Sequence, residues 1–283
     1  MTSVTIPETI TKITQDAFMD GCPNLTKLYF SSVKALCNMT LWNSAPVEWD
    51  KRLYVDGKVI DDLEIPEGVT EIKSSALRYF SLKSIKFPGS FIALHGNVSA
   101  GRLEYASIEQ MFKMKVCFEV FDPNWTETVA SYPFGKGYDL YVGGQEVKHL
   151  EIPDYVESIP DYLFSGVSNL QSVSFHDGVR SIGNSAFRGC KNLKNLEIPH
   201  SVTSISAYAF EGCLGLEGAL ALPNVATFGY RAFGDCSSLT SVELPSAKGE
   251  LEWRIFEGCT KLRKVFLGRF ITIMHPMFQG CPV

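Results

Sequence analysis

A chain of 283 residues that is 45% hydrophobic and 20% charged is long enough to bury a large core and too apolar to be disordered. Its formal net charge of −5 gives no broad attraction for phosphate, which argues against nucleic acid as a partner. No apolar run reaches the roughly 18 residues that a membrane helix needs, and the opening "MTSVTIPETITKI" lacks the basic-then-apolar profile of a signal peptide. The expectation is a soluble globular chain that begins directly inside a repeat, as a processed fragment does.

In chain order, the segment from Ile6 to Phe30 ends in "AFMDGCPNLTKLYF", a Phe and a Cys followed by alternating aliphatics. Residues 31–62 depart from this phrase and include "LCNMTLWNSAPVEWDKRLYVDGKVIDDLEIP". There Asp56-Gly57 separates two extended runs, the signature of a small hairpin. The stretch "IPEGVTEIKSSALRYFSLKSIKFP" then returns to the first phrase without its Cys. Residues 106–152 depart again, through "FEVFDPNWTETVASYPFGKGYDLYVGGQEVKHLEI". Their "LYVGGQEVKHLEIP" parallels the earlier "LYVDGKVIDDLEIP", with Gly143-Gly144 at the turn, so the longer variant is itself repeated.

From Glu151 onward the phrase becomes regular. Phe164, Phe187, Phe210, Phe233, Phe256 and Phe278 follow one another at 23, 23, 23, 23 and 22 residues, and Cys190, Cys213, Cys236, Cys259 and Cys281 keep step. A period of this size signals a solenoid, whose units cannot bury their apolar face alone and stack to do so. Within one unit, Leu193, Leu196 and Ile198 face a core while Asn195 and Glu197 face solvent, a short strand that Pro199 ends because it has no N–H to donate. "SVTSIS" supplies a second extended piece with Val202 and Ile205 inward. "AYAFEGC" packs Ala209, Phe210 and Cys213 through a helical or 3₁₀ turn.

The phrase "IPHSVTSISAYAFEGCLGLEGALALP" resembles the BspA-like leucine-rich-repeat family of bacterial and protist surface proteins. The likeness is clearest from Glu151 to Val283, recurs at Ile6 to Phe30, and is weaker at residues 65–88. It implies an α/β fold: a right-handed leucine-rich-repeat solenoid with a parallel β-sheet on one face and short strands and 3₁₀ or helical turns on the other, about 22–24 residues per repeat. One domain is expected over 1–283, with longer variant repeats at about 31–62 and 106–152. The resemblance also implies adhesion to host proteins or other cells, a cell-surface or secreted location, and no catalytic residues.

Three of the four tryptophans, Trp42, Trp49 and Trp125, lie in the variant repeats. Large aromatics there either pin a long loop or form a recognition surface. The outward face of the sheet should display Lys27 and Tyr29, Ser84 and Lys86, Ser172 and Ser174, Asn195 and Glu197, Ser241 and Glu243, then Lys264 and Phe266. It is small and polar in the middle, with Lys beside an aromatic at both ends. Tyr29, Trp42, Trp49, Trp125 and Phe266 are therefore the candidate ligand-binding residues.

The five in-register cysteines read as a column of small buried hydrophobes, because stacked strands repeat at about 4.8 Å and a disulfide needs its Cβ atoms at about 3.8 Å. Cys22 shares their motif position. Cys37 and Cys117, in the variant repeats, are the expected reactive or pairing exceptions. No C-x-x-C or His-rich spacing points to a metal, and no cofactor motif or nucleophile elbow is present. His176 and His200 fall near one rim, with Asp177 as the only local acid, and read as polar rim residues. Four N-x-S/T sequons occur, at Asn24, Asn38, Asn97 and Asn124. The functional expectation is a non-enzymatic, monomeric module that binds an extracellular protein or glycan, with no nucleic acid, membrane insertion or cofactor. The alternative is an architectural spacer of a larger surface protein.

Overall fold

The computed structural model describes residues 2–13, 22, 24–41, 52–73, 77, 80–95, 98–117, 137–247, 249–250, 254–268, 271–272 and 277–282. The chain is a parallel β-solenoid whose contacts divide it into two compact units, Met1–Gln145 and Glu146–Val283. Each is built from short strands that pair with the equivalent strand one coil away.

In the second unit the coil length is nearly constant because the register is. Ser172 pairs with His149 on one side and Asn195 on the other, and a second ladder joins Ser158, Ser181, Ser204 and Thr227. The inward positions of these strands, Val173, Ile159, Ile182, Ile205 and Phe228, are buried, which is the period-2 pattern of a strand with one wet face. The turn predicted as helical or 3₁₀ is a run of i→i+3 turns, such as Glu211 N–H to Tyr208 C=O at 3.1 Å and Cys213 N–H to Phe210 C=O at 3.2 Å. No helix forms, because alternate N–H groups reach across coils instead. Phe164, Phe187, Phe210 and Phe233 donate to the carbonyls of Ala186, Ala209, Ala232 and Ile255 at 2.8–2.9 Å.

Two columns of side chains fill the space behind these turns. The six phenylalanines stack ring on ring, with centroids 5.1, 5.3, 5.1, 5.6 and 5.9 Å apart and interplanar angles of 12° or less. Beside them each thiol donates to the Phe carbonyl of the preceding coil: Cys190 to Phe164, Cys213 to Phe187, Cys236 to Phe210 and Cys259 to Phe233, all at 3.1–3.2 Å. The same carbonyl already accepts from an N–H of its own coil, that of Val167 at Phe164 and that of the Cys at the other three, so both lone pairs are used. A buried carbonyl left half-satisfied would be costly, and this gives a reason for Cys over Ala at the position. These cysteines are free thiols, as the column geometry predicted, except that Cys281 is half-buried and not buried.

The first unit keeps the ladder and changes the filling. Strand Ser3–Ile6 pairs with Lys27–Phe30, which pairs with Leu53–Val55. The predicted hairpin forms, with Lys58–Ile60 antiparallel to Leu53–Val55. Its turn residues Asp56 and Gly57 both have positive φ (49° and 72°), as a type I′ turn requires. Gly143 and Gly144, at the second predicted turn, do the same (56° and 79°). A second sheet orders Asp62–Glu64, Ser81–Lys86, Ser99–Tyr105 and Asp139–Val142.

Both variant repeats also contain a short helix that the sequence reading did not predict: α1, Val33–Asn38, and α2, Ile108–Lys113. Ser32 and Ser107 cap them, each hydroxyl accepting from the N–H three residues on, at 3.0 and 3.1 Å. With helices in place of the phenylalanine turn, aromatic bulk moves to the strand ends. Phe87 stacks on Tyr105 at 5.2 Å and meets Phe91 at 4.7 Å, while Phe30 meets Phe80 edge-on at 6.1 Å.

Candidate binding faces of the sheet

Alternation decides what the sheet offers to solvent. On the first sheet of the first unit, Leu28 and Phe30 point inward, so Lys27 and Tyr29 point outward. The register sets Tyr29 beside Tyr54, and their rings lie 4.7 Å apart at 45°. Lys27 Nζ and Arg52 Cζ each sit 5.6 Å from the Tyr54 ring centroid, within cation–π range. Tyr54 is buried beneath them, Tyr29 is half-buried, and Ser3 and Thr5 complete the rows as exposed hydroxyls.

The second sheet of this unit is charged and internally paired. Lys83 bridges to Asp61 at 2.6 Å, Lys86 to Glu64 at 3.0 Å, and the Ser84 hydroxyl donates to Asp62 at 2.6 Å. Hydrogen bonding to Asp61 and to Glu64 raises the pKa of Lys83 and Lys86 respectively. Arg102 pairs with Glu104 and lies 3.7 Å over the Tyr141 ring. This sheet is therefore not small and polar, as expected of the middle of the face. Strand Ser99–Tyr105 adds Arg102 and Glu104 to the charges of the two strands before it, and it lacks the repeat phrase that would have placed them outward.

The second unit is closer to expectation. His149, Ser172 and Asn195 form one row, with His149 Nδ1 and Ser172 Oγ 2.7 Å apart. At the last described strand of this face, Lys264–Leu267, Phe266 is 57% exposed and pairs beside Glu243. Of the predicted site residues, then, Tyr29 gains Tyr54, Lys27 and Arg52 as neighbours, and Phe266 stands outward in the other unit. Trp42, Trp49 and Trp125 lie outside the described residues. Tyr54 went unpredicted because its neighbours in sequence, Leu53 and Val55, are both buried and hide the alternation.

A denser charge cluster lies at the turns of the second unit. Glu211, 7% exposed, is held between Arg188 at 2.5 Å and Arg231 at 2.6 Å. Arg231 also meets Asp235 and Glu257 at 2.5 Å, and Arg254 meets Glu257 at 3.7 Å. Arg188 lies 5.1 Å over the Tyr208 ring. Burial opposes the Arg231 charge, but hydrogen bonds to Glu211 and Glu257 more than offset it and raise its pKa. The cluster balances three guanidinium groups against three carboxylates and reads as a device that fixes coil register.

The residues weighed for other chemistry are accounted for structurally. His176 Nδ1 lies 3.0 Å from the Gly178 N–H and Nε2 lies 3.1 Å from the Val156 carbonyl. The tautomer with hydrogen on Nε2 satisfies both, and His200 is exposed. Among the described residues no three His, Cys, Asp or Glu side chains converge as a metal would require. Cys37, expected to be reactive, is a free thiol 1% exposed in α1, and burial pushes its pKa up to about 12. A thiol that cannot ionise is a poor nucleophile, so that expectation is corrected. The Cys117 side chain lies outside the described residues. No helix among the described residues is long and apolar enough to cross a membrane.

A family model of the BspA type leucine rich repeat region matches residues 1–102 and 139–263 in six copies. Among solved structures, the chain is similar to a leucine rich cell surface protein from Faecalibacterium prausnitzii A2-165, at 19% identity and TM-score 0.57 over 94% of this chain and 79% of that one. It is also similar to a leucine-rich repeat protein from Eubacterium ventriosum ATCC 27560, at 22% identity and TM-score 0.56 over 100% and 83%. The pneumococcal vaccine antigen PcpA is similar at 18% identity and TM-score 0.54 over 96% and 69%. At these identities the likeness shows the fold. No curated protein matches the sequence.

Proposed function

Because the chain belongs to the BspA-type leucine-rich-repeat family, we propose that it is a non-enzymatic binding module, displayed at a bacterial cell surface or secreted, whose outward sheet face recognises an extracellular protein or glycan. The observation that carries this reading is the outward pair Tyr29 and Tyr54 with Lys27 and Arg52 beside it. Aromatic and cationic side chains dominate recognition surfaces, and here they sit on a sheet whose inward face alone maintains the core. The family, and one similar structure described as a cell surface protein, support that location. Phe266, on the face of the other unit, is a second candidate anchor, and the three tryptophans of the variant repeats remain part of the proposal.

An architectural role is the second reading, and the pairing of Lys83, Lys86 and Arg102 with neighbouring carboxylates favours it locally. Charges already satisfied within the sheet leave little for a ligand. A glycan and host-protein array separates the two. The binding reading expects a ligand whose affinity falls by about 2 kcal/mol or more in Tyr29→Ala, the scale of a hot spot, with the thermal midpoint unchanged. If the array is blank, or the substitution lowers the midpoint with no separate effect on affinity, the spacer reading replaces it.

A further inference from the structure

The outward cations of the sheet faces are not alike. In the second sheet of the first unit, Lys83, Lys86 and Arg102 each have a carboxylate partner. Lys27 has none within ion-pair distance among the described residues, and its ammonium is placed over an aromatic ring instead. It is half-buried, so this charge is partly removed from water with no counter-ion among the described residues. Arg52, exposed, brings a second cation to the same ring. The surface therefore combines local positive charge, one accessible aromatic face at Tyr29, and the hydroxyls of Ser3 and Thr5 on the adjacent strand.

Resting on the reading of this face as a binding surface, we infer that the patch takes a carboxylated sugar, a uronic or sialic acid within a glycan. The apolar C–H face of the sugar ring lies on Tyr29, its carboxylate faces Lys27, and its hydroxyls meet Ser3 and Thr5. Each part of the ligand answers one feature of the patch. Carboxylates bind ammonium and guanidinium groups through charge-assisted hydrogen bonds. A rigid ring loses little entropy in stacking on a half-buried tyrosine, whereas a Glu or Asp side chain offers no such face. An extended polyanion is disfavoured, because the chain is net acidic and a long anion needs many cations in a row.

The test uses the whole chain and four defined probes: 3′-sialyllactose, a hyaluronan tetrasaccharide, lactose and a pentaglutamate peptide, followed by calorimetry and saturation-transfer NMR. One of the two acidic glycans should bind at least 10-fold more tightly than lactose or the peptide, and 0.5 M salt should weaken it. Lys27→Gln and Tyr29→Leu should each weaken that complex at least 10-fold, Tyr29→Phe should not, and all three should keep the parent's circular dichroism and thermal midpoint. Equal binding of lactose, preference for the peptide, or indifference to Lys27→Gln overturns the assignment. If the array ligand binds with an affinity these variants leave untouched, the sugar site falls while the broader binding reading stands. If no probe and no array ligand binds, both fall.

Discussion

In the second unit, two inward columns at the turns repeat from coil to coil, Phe on Phe and, from Cys190 onward, Cys beside Cys, with a positive-φ residue at each corner. In the first unit, the strand ladder persists while the turns become capped helices and hairpins, and the aromatics gather at strand ends. The comparison teaches that the backbone ladder sets the coil and the side-chain columns only fill it. Near-identical filling gives a step of 22 to 23 residues, as from Ala219 to Ser241 and from Ser172 to Asn195. Mixed filling lets the step vary, from 18 residues between Ser84 and Arg102 to 37 between Arg102 and Asp139. The regular unit places its specialised chemistry inside. The irregular one sets a cation with no carboxylate partner among the described residues over a tyrosine on its outward face.

Alkaline pH should separate the two kinds of filling most strongly. Burial raises the thiol pKa of Cys190, Cys213 and Cys236, and hydrogen bonding to Cys236 raises that of Cys259. The unfolded chain loses these protons near pH 8.5, whereas the folded chain keeps them, so stability is intact below that pH and falls above it. Each thiol that stays protonated contributes about 1.4 kcal/mol per pH unit, so Cys190, Cys213 and Cys259 together cost about 4 kcal/mol between pH 9 and 10, with Cys236 acting in the same direction. In the first unit, Cys37 acts in the same direction up to about pH 12. Urea unfolding at pH 8 and pH 10 with pulsed thiol labelling checks this. The four sites should label at much lower urea at pH 10, and an unchanged labelling midpoint would contradict the buried thiol column.

Next in size is the ring stack itself. Phe210→Ala removes a fully buried ring between Phe187 and Phe233 and should cost about 3–5 kcal/mol. Because a solenoid adds unit and interface terms, amide protection should be lost first around that coil. A cost below about 1 kcal/mol, or uniform loss throughout the second unit, would mean that the stack does not carry the packing.

These columns were legible in the sequence because they recur: five phenylalanine intervals and the in-step cysteines leave one architecture. The hairpins were legible through Asp-Gly and Gly-Gly, since few residues tolerate two successive positive φ values. The helices α1 and α2 were not, because six residues are too short to show a 3.6-residue period. The thiol-to-carbonyl bonds were hidden because spacing reveals a column but not where its S–H points. The arginine–carboxylate ladder was hidden by a change of column. Arg188, Glu211 and Glu257 each follow the stacked Phe, but Arg231 precedes its Phe by two, and Gly234 leaves room for its guanidinium. Of the candidate site, Tyr29 and Lys27 were legible by alternation, and Tyr54 and Arg52 required the register across the first variant repeat.

That ladder gives a third expectation. Arg231→Met leaves Glu211 nearly buried with one cation in place of two and should cost about 3 kcal/mol, the lower end for a broken buried pair. Adding Glu211→Gln should recover more than half of it, since a neutral amide needs no counter-charge. If the double variant is no more stable than the single one, the ladder acts through packing and not through charge. Thermal unfolding of the two variants and the parent distinguishes these outcomes.

The smallest effect concerns the corners. Gly166, Gly189, Gly212, Gly258 and Gly280 all have positive φ, and the one residue of this column that is not glycine, Asp235, shares it at 56°. A Cβ at Gly212 would meet nothing nearer than 3.8 Å, so Gly212→Ala tests conformation with no clash and should cost about 1–2 kcal/mol, the left-handed penalty for an L-residue. Asp235→Gly is the converse. It relieves the same penalty, softened because Asp tolerates this region, and it gives up the pair with Arg231, in which the Asp235 side chain is 54% exposed. The two terms oppose each other at less than about 1 kcal/mol each, so the net change should stay within about 0.5 kcal/mol. Asp235→Ala loses the pair and keeps the strain, and should therefore be the less stable of the two variants. If alanine at 235 proves as stable as glycine, the corner is not held by its φ, and the glycine column has another cause.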